Sequence, residues 1–89
     1  MKRVHVFVSG RVQGVFFRSN TFKRAKELGL SGWVRNTSDD KVEAVFEGDK
    51  NKINKILDFL RSNPGSSKVD HIDIREEKPE NLKDFKVLY

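Results

Sequence analysis

The chain has 89 residues, with 18 Lys and Arg against 13 Asp and Glu, a net charge of +5 and no cysteine. At about 100–200 residues per domain this is a single domain, residues 1–89, which excludes a dinucleotide-binding pair, a barrel enzyme and a kinase. The missing thiols exclude disulfides, cysteine nucleophiles, Fe–S clusters and cysteine-based zinc sites, and no apolar run approaches the ~20 residues that span a bilayer, so a soluble cytoplasmic protein with no membrane contact is expected.

Met1 to Gly10 reads as a strand, because Val4, Val6 and Val8 alternate with His5, Phe7 and Ser9 at period two; the valines are expected to face a core. From Ser19 to Leu28 the spacing turns helical, with Phe22, Ala25 and Leu28 on one face. Ser19, Asn20 and Thr21 are the candidate caps of this helix and Gly29 its left-handed stop. Ser31 to Asn36 and Val42 to Glu47 form a hairpin around a polar turn. In the second of these strands Val42, Ala44 and Phe46 alternate with Glu43, Val45 and Glu47, which predicts one buried face.

Asp49 is the predicted N-cap of a second helix in which Ile53, Ile56, Leu57 and Leu60 fall at i, i+3, i+4 and i+7, and Asn63-Pro64-Gly65 ends it. Val69 to Glu77 and a short run from Phe85 to Tyr89 complete the chain. The order is βαββαβ with one extra short C-terminal strand. It predicts an α+β, ferredoxin-like sandwich: an antiparallel sheet with two helices on one face and water on the other. The seven Phe are expected in the core, with Phe7 the exception because it shares a strand face with His5 and Ser9.

The charge is unevenly placed. Residues 1–35 carry eight basic side chains against one acid, Glu27, whereas residues 36–89 carry ten against twelve. Inside the basic segment, between the first strand and the first helix, lies Gly10-Arg11-Val12-Gln13-Gly14-Val15-Phe16-Phe17-Arg18. It has neither nucleotide-binding glycine spacing. A loop entering a helix nevertheless offers unpaired N–H groups and the positive end of the helix dipole, and Gly14 alone between Arg11 and Arg18 takes a positive φ without steric cost. Such a loop could hold a small tetrahedral anion with Arg18 adding a fork of donors; equally, it could be an ordinary turn followed by a solvated arginine.

The run from Gly10 to Arg18, followed by Ala25, Leu28-Gly29-Leu30 and Gly32-Trp33-Val34-Arg35-Asn36, resembles the acylphosphatase family over nearly the whole chain. The resemblance implies hydrolysis of a carboxylic–phosphoric mixed anhydride to carboxylate and inorganic phosphate, with no metal and no cofactor. It places the phosphate on the backbone N–H groups of Gln13, Gly14, Val15, Phe16 and Phe17. It makes Arg18 the clamp on the phosphoryl group and Asn36 the holder of the attacking water, with Thr37 in support. The chain departs from the family in its hairpin turn, where Asp39-Asp40 stands for the common Asp-Gly.

The chemistry agrees with the residues available. A carboxylate with a conjugate-acid pKa of about 4 leaves without a general acid, so positioning and charge stabilisation suffice. Asn36 can orient water but not deprotonate it, which leaves a phosphoryl oxygen as proton acceptor. By itself, Asn36 also reads as a strand-end residue closing a turn.

The βαββαβ order and basic charge admit a second reading, an RNA-recognition-like nucleic-acid module. The Val-Glu-Ala-Val-Phe-Glu of the third strand has one aromatic and two acids where that module needs paired aromatics. A third reading is a sensor of acyl phosphates related to domains of larger carbamoyl-handling enzymes. His5 and His71 read as surface histidines without metal-ligand spacing, and Asp73, Glu76, Glu77 and Glu80 as a solvated charge cluster. A monomer acting on an acyl phosphate, without nucleic acid, is expected.

Overall fold

A computed structural model describes all 89 residues, Met1–Tyr89. The chain runs β1 (Lys2–Arg11), α1 (Phe17–Glu27), β2 (Ser31–Asn36), β3 (Val42–Gly48), α2 (Lys50–Arg61), β4 (Lys68–Glu77) and β5 (Phe85–Leu88). The strands form one sheet in the order β4-β1-β3-β2-β5. Val4, Val6 and Val8 of β1, Val34 of β2 and Val42, Ala44 and Phe46 of β3 are buried on one face. Ile53, Ile56, Leu57 and Leu60 of α2 and Phe17 and Ala25 of α1 close over them. This is the expected ferredoxin-like α+β sandwich, built by period-two strands meeting period-3.6 helices.

β3 pairs antiparallel with both β1 and β2, so β1 and β2 run parallel to one another and their C-terminal ends share one end of the sheet. Val42 marks that end, lying between Val8 of β1 and Asn36 of β2. The β1–α1 loop and the β2–β3 turn therefore emerge side by side. The sheet is mixed, not wholly antiparallel: β5 runs parallel to β2, with Gly32 opposite Phe85 and Val34 opposite Val87. Residues 78–84 leave β4 at the far end and pass over Glu47 of β3, whose carboxylate accepts from the N–H groups of Glu80 (2.8 Å) and Leu82 (2.9 Å). A strand entered at that end beside the start of β2 has to run in the direction of β2.

The helix ends divide between expectation and correction. α1 stops as expected at Gly29 (φ 71°): the N–H of Leu30 donates to Ala25 O and that of Gly29 to Lys26 O, both at 3.0 Å, a Schellman closure. Its start is three residues earlier than the first of the polar caps suggests. Phe16, left-handed at φ 62° and ψ 18°, occupies the N-cap position, while Ser19, Asn20 and Thr21 lie inside the helix. Asp49 precedes α2 as expected, but its side chain makes no cap hydrogen bond.

The sheet face opposite the helices is drier at its centre than expected. Glu43 and Glu47 are 7 % and 1 % exposed, and Val45 is fully buried between them. Arg3 joins Glu47 (2.9 Å) to Glu77 (2.8 Å). His5 bridges Glu77 (Nδ1, 2.9 Å) and Glu43 (Nε2, 2.6 Å), and Arg35 closes on Glu43 at 2.6 Å. His5 also stacks on Phe7, with ring centroids 5.1 Å apart. His5 is thus a structural bridge, not a free surface histidine, and Glu77 belongs to the network and not to a solvated cluster. Charged residues reached this face because each found an opposite partner on a neighbouring strand.

Candidate active site

Five of the residues expected to act on substrate meet at one place. Gly14, Phe16, Phe17, Arg18 and Asn36 line an open pocket of about 330 Å³, together with Val12 and Ser19. The pocket sits at the end of the sheet where the β1–α1 loop and the end of β2 lie together.

The loop is shaped by two left-handed residues. Gly14 (φ 74°) pays no steric cost there, and a Cβ at its position would meet nothing within 4 Å. Phe16 (φ 62°) is the second, against the expectation that Gly14 alone would turn. For a bulky residue this conformation costs about 1–2 kcal/mol. Between them Val15 packs partly against the core, and before them Val12 is buried, which anchors the loop from beneath.

The N–H groups of Gln13, Gly14, Val15 and Phe16 find no acceptor within the protein, and Phe17, opening α1, has no intrahelical one. The first helical bond runs from Asn20 N–H to Phe16 O at 2.9 Å. Orphan donors at a helix entrance favour an anion. Gln13 and Val15 do not line the pocket. The Gln13 side chain instead turns to the β2–β3 turn, donating to Thr37 O (2.9 Å) and Lys41 O (2.8 Å).

Arg18 is half-buried and has no carboxylate partner; its guanidinium lies 4.7 Å from the centroid of the Tyr89 ring. Among the eight cations of residues 1–35, Lys2, Arg3, Arg24, Lys26 and Arg35 are paired with acids, leaving Arg11, Arg18 and Lys23 without one. The charge excess seen in the sequence therefore includes an uncompensated guanidinium inside the pocket. Asn36 ends β2, and its Oδ1 is buried with no hydrogen-bond partner. A buried, unpaired acceptor costs about 1–3 kcal/mol and marks a place where a donor is missing.

The turn that holds Asn36 in place keeps the geometry that Asp-Gly would give. Asp40 adopts φ 66° itself, and Thr37 N–H donates to Lys41 O at 2.9 Å while Lys41 N–H donates to Thr37 Oγ1 at 3.0 Å. The Thr37 hydroxyl also bonds Asp39, holding the Asp39 carboxyl below its usual range. Thr37 is thus brought to the site through the backbone carbonyl that Gln13 grips.

The sequence model of the Acylphosphatase family matches residues 4–87. The chain belongs to the acylphosphatase family. It is 51% identical over 79 residues to the acylphosphatase of Roseiflexus sp., which covers 89% of this chain and 85% of that relative. Its structure overlays the crystal structure of the acylphosphatase from Bacillus subtilis with a TM-score of 0.96 at 33% identity, over the whole of both chains. The same fold occurs within a longer protein: full-length HypF, solved in a phosphate- and nucleotide-bound form, matches 99% of this chain with a TM-score of 0.92 at 32% identity, over 12% of its own length. Nothing in these likenesses supports the nucleic-acid reading, and no helix is long and apolar enough to cross a membrane.

Sequence reasoning missed three features of this acylphosphatase-family site. The first is the Gln13 side chain as a tie between loops, since the two carbonyls it grips are 24 and 28 residues away. The second is Tyr89 on Arg18, which depends on β5 running parallel to β2. The third is Phe16, placed with the core aromatics by composition but 77 % exposed. A bulky residue just after a Gly-turn and just before a helix was the available signal.

Proposed function

We propose that the pocket between the 10–18 loop and Asn36 hydrolyses acyl phosphates, with the phosphoryl group held by Arg18 and by the N–H groups of Gln13, Gly14, Val15, Phe16 and Phe17. The observation that carries this reading is the pairing, in one pocket, of an uncompensated guanidinium with a buried amide oxygen that lacks a donor. The guanidinium suits a dianion and the amide oxygen suits a water.

In the proposed step a water donates a hydrogen bond to Asn36 Oδ1 and attacks phosphorus as the P–O bond to the acyl group breaks. The carboxylate leaves with the bond's electron pair, and the proton of the attacking water passes to a non-bridging phosphoryl oxygen, giving carboxylate and dihydrogen phosphate. Arg18 and the loop N–H groups stabilise charge on the equatorial oxygens. No group with the pKa of a general acid or base is required, because the leaving carboxylate is weakly basic.

The domain acts over residues 1–89 as a monomer in the cytoplasm, without nucleic acid, metal or cofactor. The deciding experiment is release of phosphate from benzoyl phosphate in EDTA. Turnover is expected, with a fall of about 10²–10³-fold in Arg18→Gln and about 10²-fold in Asn36→Ala. No turnover, or variants as active as the parent, would overturn the assignment.

A further inference from the structure

Phe16 has no packing role that explains it. The other phenylalanines are buried or half-buried, whereas Phe16 is 77 % exposed, and it lines the pocket that holds Arg18 and Asn36. Its backbone is left-handed, a conformation that glycine adopts freely and that the loop assigns to glycine only two residues earlier, at Gly14. A phenylalanine kept where glycine fits better, with its ring in solvent, points to work done by the ring itself.

The place of the ring indicates what that work is. With the phosphoryl group on Arg18 and the attacking water on Asn36, in-line displacement puts the acyl group on the opposite side of phosphorus, so it leaves by the open mouth. Of the pocket's apolar residues, Val12 and Phe17 are 1 % exposed and form its floor; Phe16 alone offers accessible apolar surface at the mouth. Tyr89, the other exposed aromatic nearby, is engaged with the Arg18 guanidinium.

We propose that Phe16 is a specificity residue, a shelf on which the acyl group of the substrate rests, so that the enzyme favours acyl phosphates with flat apolar acyl groups over short aliphatic ones. The inference rests on the acyl phosphate reading and deepens it by naming the class of acyl group. Stacking and desolvation of one ring face correspond to about a five- to tenfold gain for an aromatic acyl group.

The test compares kcat/KM for benzoyl phosphate and acetyl phosphate in the parent chain, Phe16→Ala, Phe16→Tyr and Phe16→Gly. The readout is how the benzoyl-to-acetyl ratio changes among variants, which cancels the intrinsic reactivities and any disturbance of the phosphate end. Phe16→Ala and Phe16→Gly are expected to lower the ratio about five- to tenfold and Phe16→Tyr to keep it. Phe16→Gly should resist urea at least as well as the parent, so its lowered ratio cannot come from unfolding. A ratio that is the same in all four chains overturns the shelf and leaves the acyl phosphate reading intact. A parent chain that hydrolyses neither compound brings down the acyl phosphate reading and the shelf with it.

Discussion

Gln13 donates its side-chain amide to the backbone carbonyl of Thr37 at 2.9 Å and shares it with that of Lys41 at 2.8 Å. The loop proposed to hold phosphate and the turn that follows Asn36 are thereby one rigid unit. Lys41 O keeps Thr37 N–H as a donor if the amide is removed, but Thr37 O loses its side-chain partner. Gln13→Met should cost about 1–2 kcal/mol in urea unfolding and lower kcat about tenfold. Gln13→Glu should cost more in both, because a carboxylate would face two carbonyl oxygens. Equal behaviour of the two variants would show that the amide is not the tie.

Asn36 sets stability against activity. Its unpaired, buried Oδ1 is a cost to the folded chain that the proposed attacking water would remove. Asn36→Leu, with the same branching and without the polar atoms, should raise stability by about 1 kcal/mol while reducing turnover at least about a hundredfold. Paired measurements of denaturation and benzoyl phosphate hydrolysis check both halves.

Acid should unfold the chain partly through Glu47. Burial works against its charge, but the N–H groups of Glu80 and Leu82 and the Arg3 guanidinium outweigh that and hold its pKa below the ordinary value of 4.5. The unfolded chain therefore binds more protons in that range. Glu47's contribution is complete above pH 4.5 and is lost as the pH falls through the lower, folded value. Glu77, bonded by Arg3 and His5, acts in the same direction. Glu47→Gln should cost about 3 kcal/mol at neutral pH and flatten the acid side of a stability–pH curve measured by urea midpoints.

The strands, α2 and the two signatures around Arg18 and Asn36 were legible because each is written in neighbouring residues. Val4, Val6 and Val8 alternate, and Ile53, Ile56, Leu57 and Leu60 repeat at helical spacing. What escaped was decided at long range. Glu47 reads as solvated because its partners Arg3, Glu80 and Leu82 lie more than thirty residues away along the chain. The parallel setting of β5 follows from where residues 78–84 cross, which no local pattern encodes. At α1 the polar triplet from Ser19 to Thr21 competed with Phe16 for the helix start, and the loop geometry won over capping preference.

Asp40 carries a removable cost. It holds φ 66° in the β2–β3 turn without glycine's freedom there. Asp40→Gly should stabilise the chain by about 0.5–1 kcal/mol and leave turnover unchanged, since Thr37 and Lys41 already close the turn. Thermal melting with a parallel activity assay measures both.

Val42 stands between Val8 and Asn36, so the gap across the pocket is the width of one interior strand. Two inter-strand spacings, about 9.6 Å, are a constant of hydrogen-bonded backbone and independent of which side chains occupy the surface. The outer strands β4 and β5 can fray on warming without altering that span. Heat inactivation should therefore track the melting of the sheet itself, with no earlier step at which the chain is folded but idle.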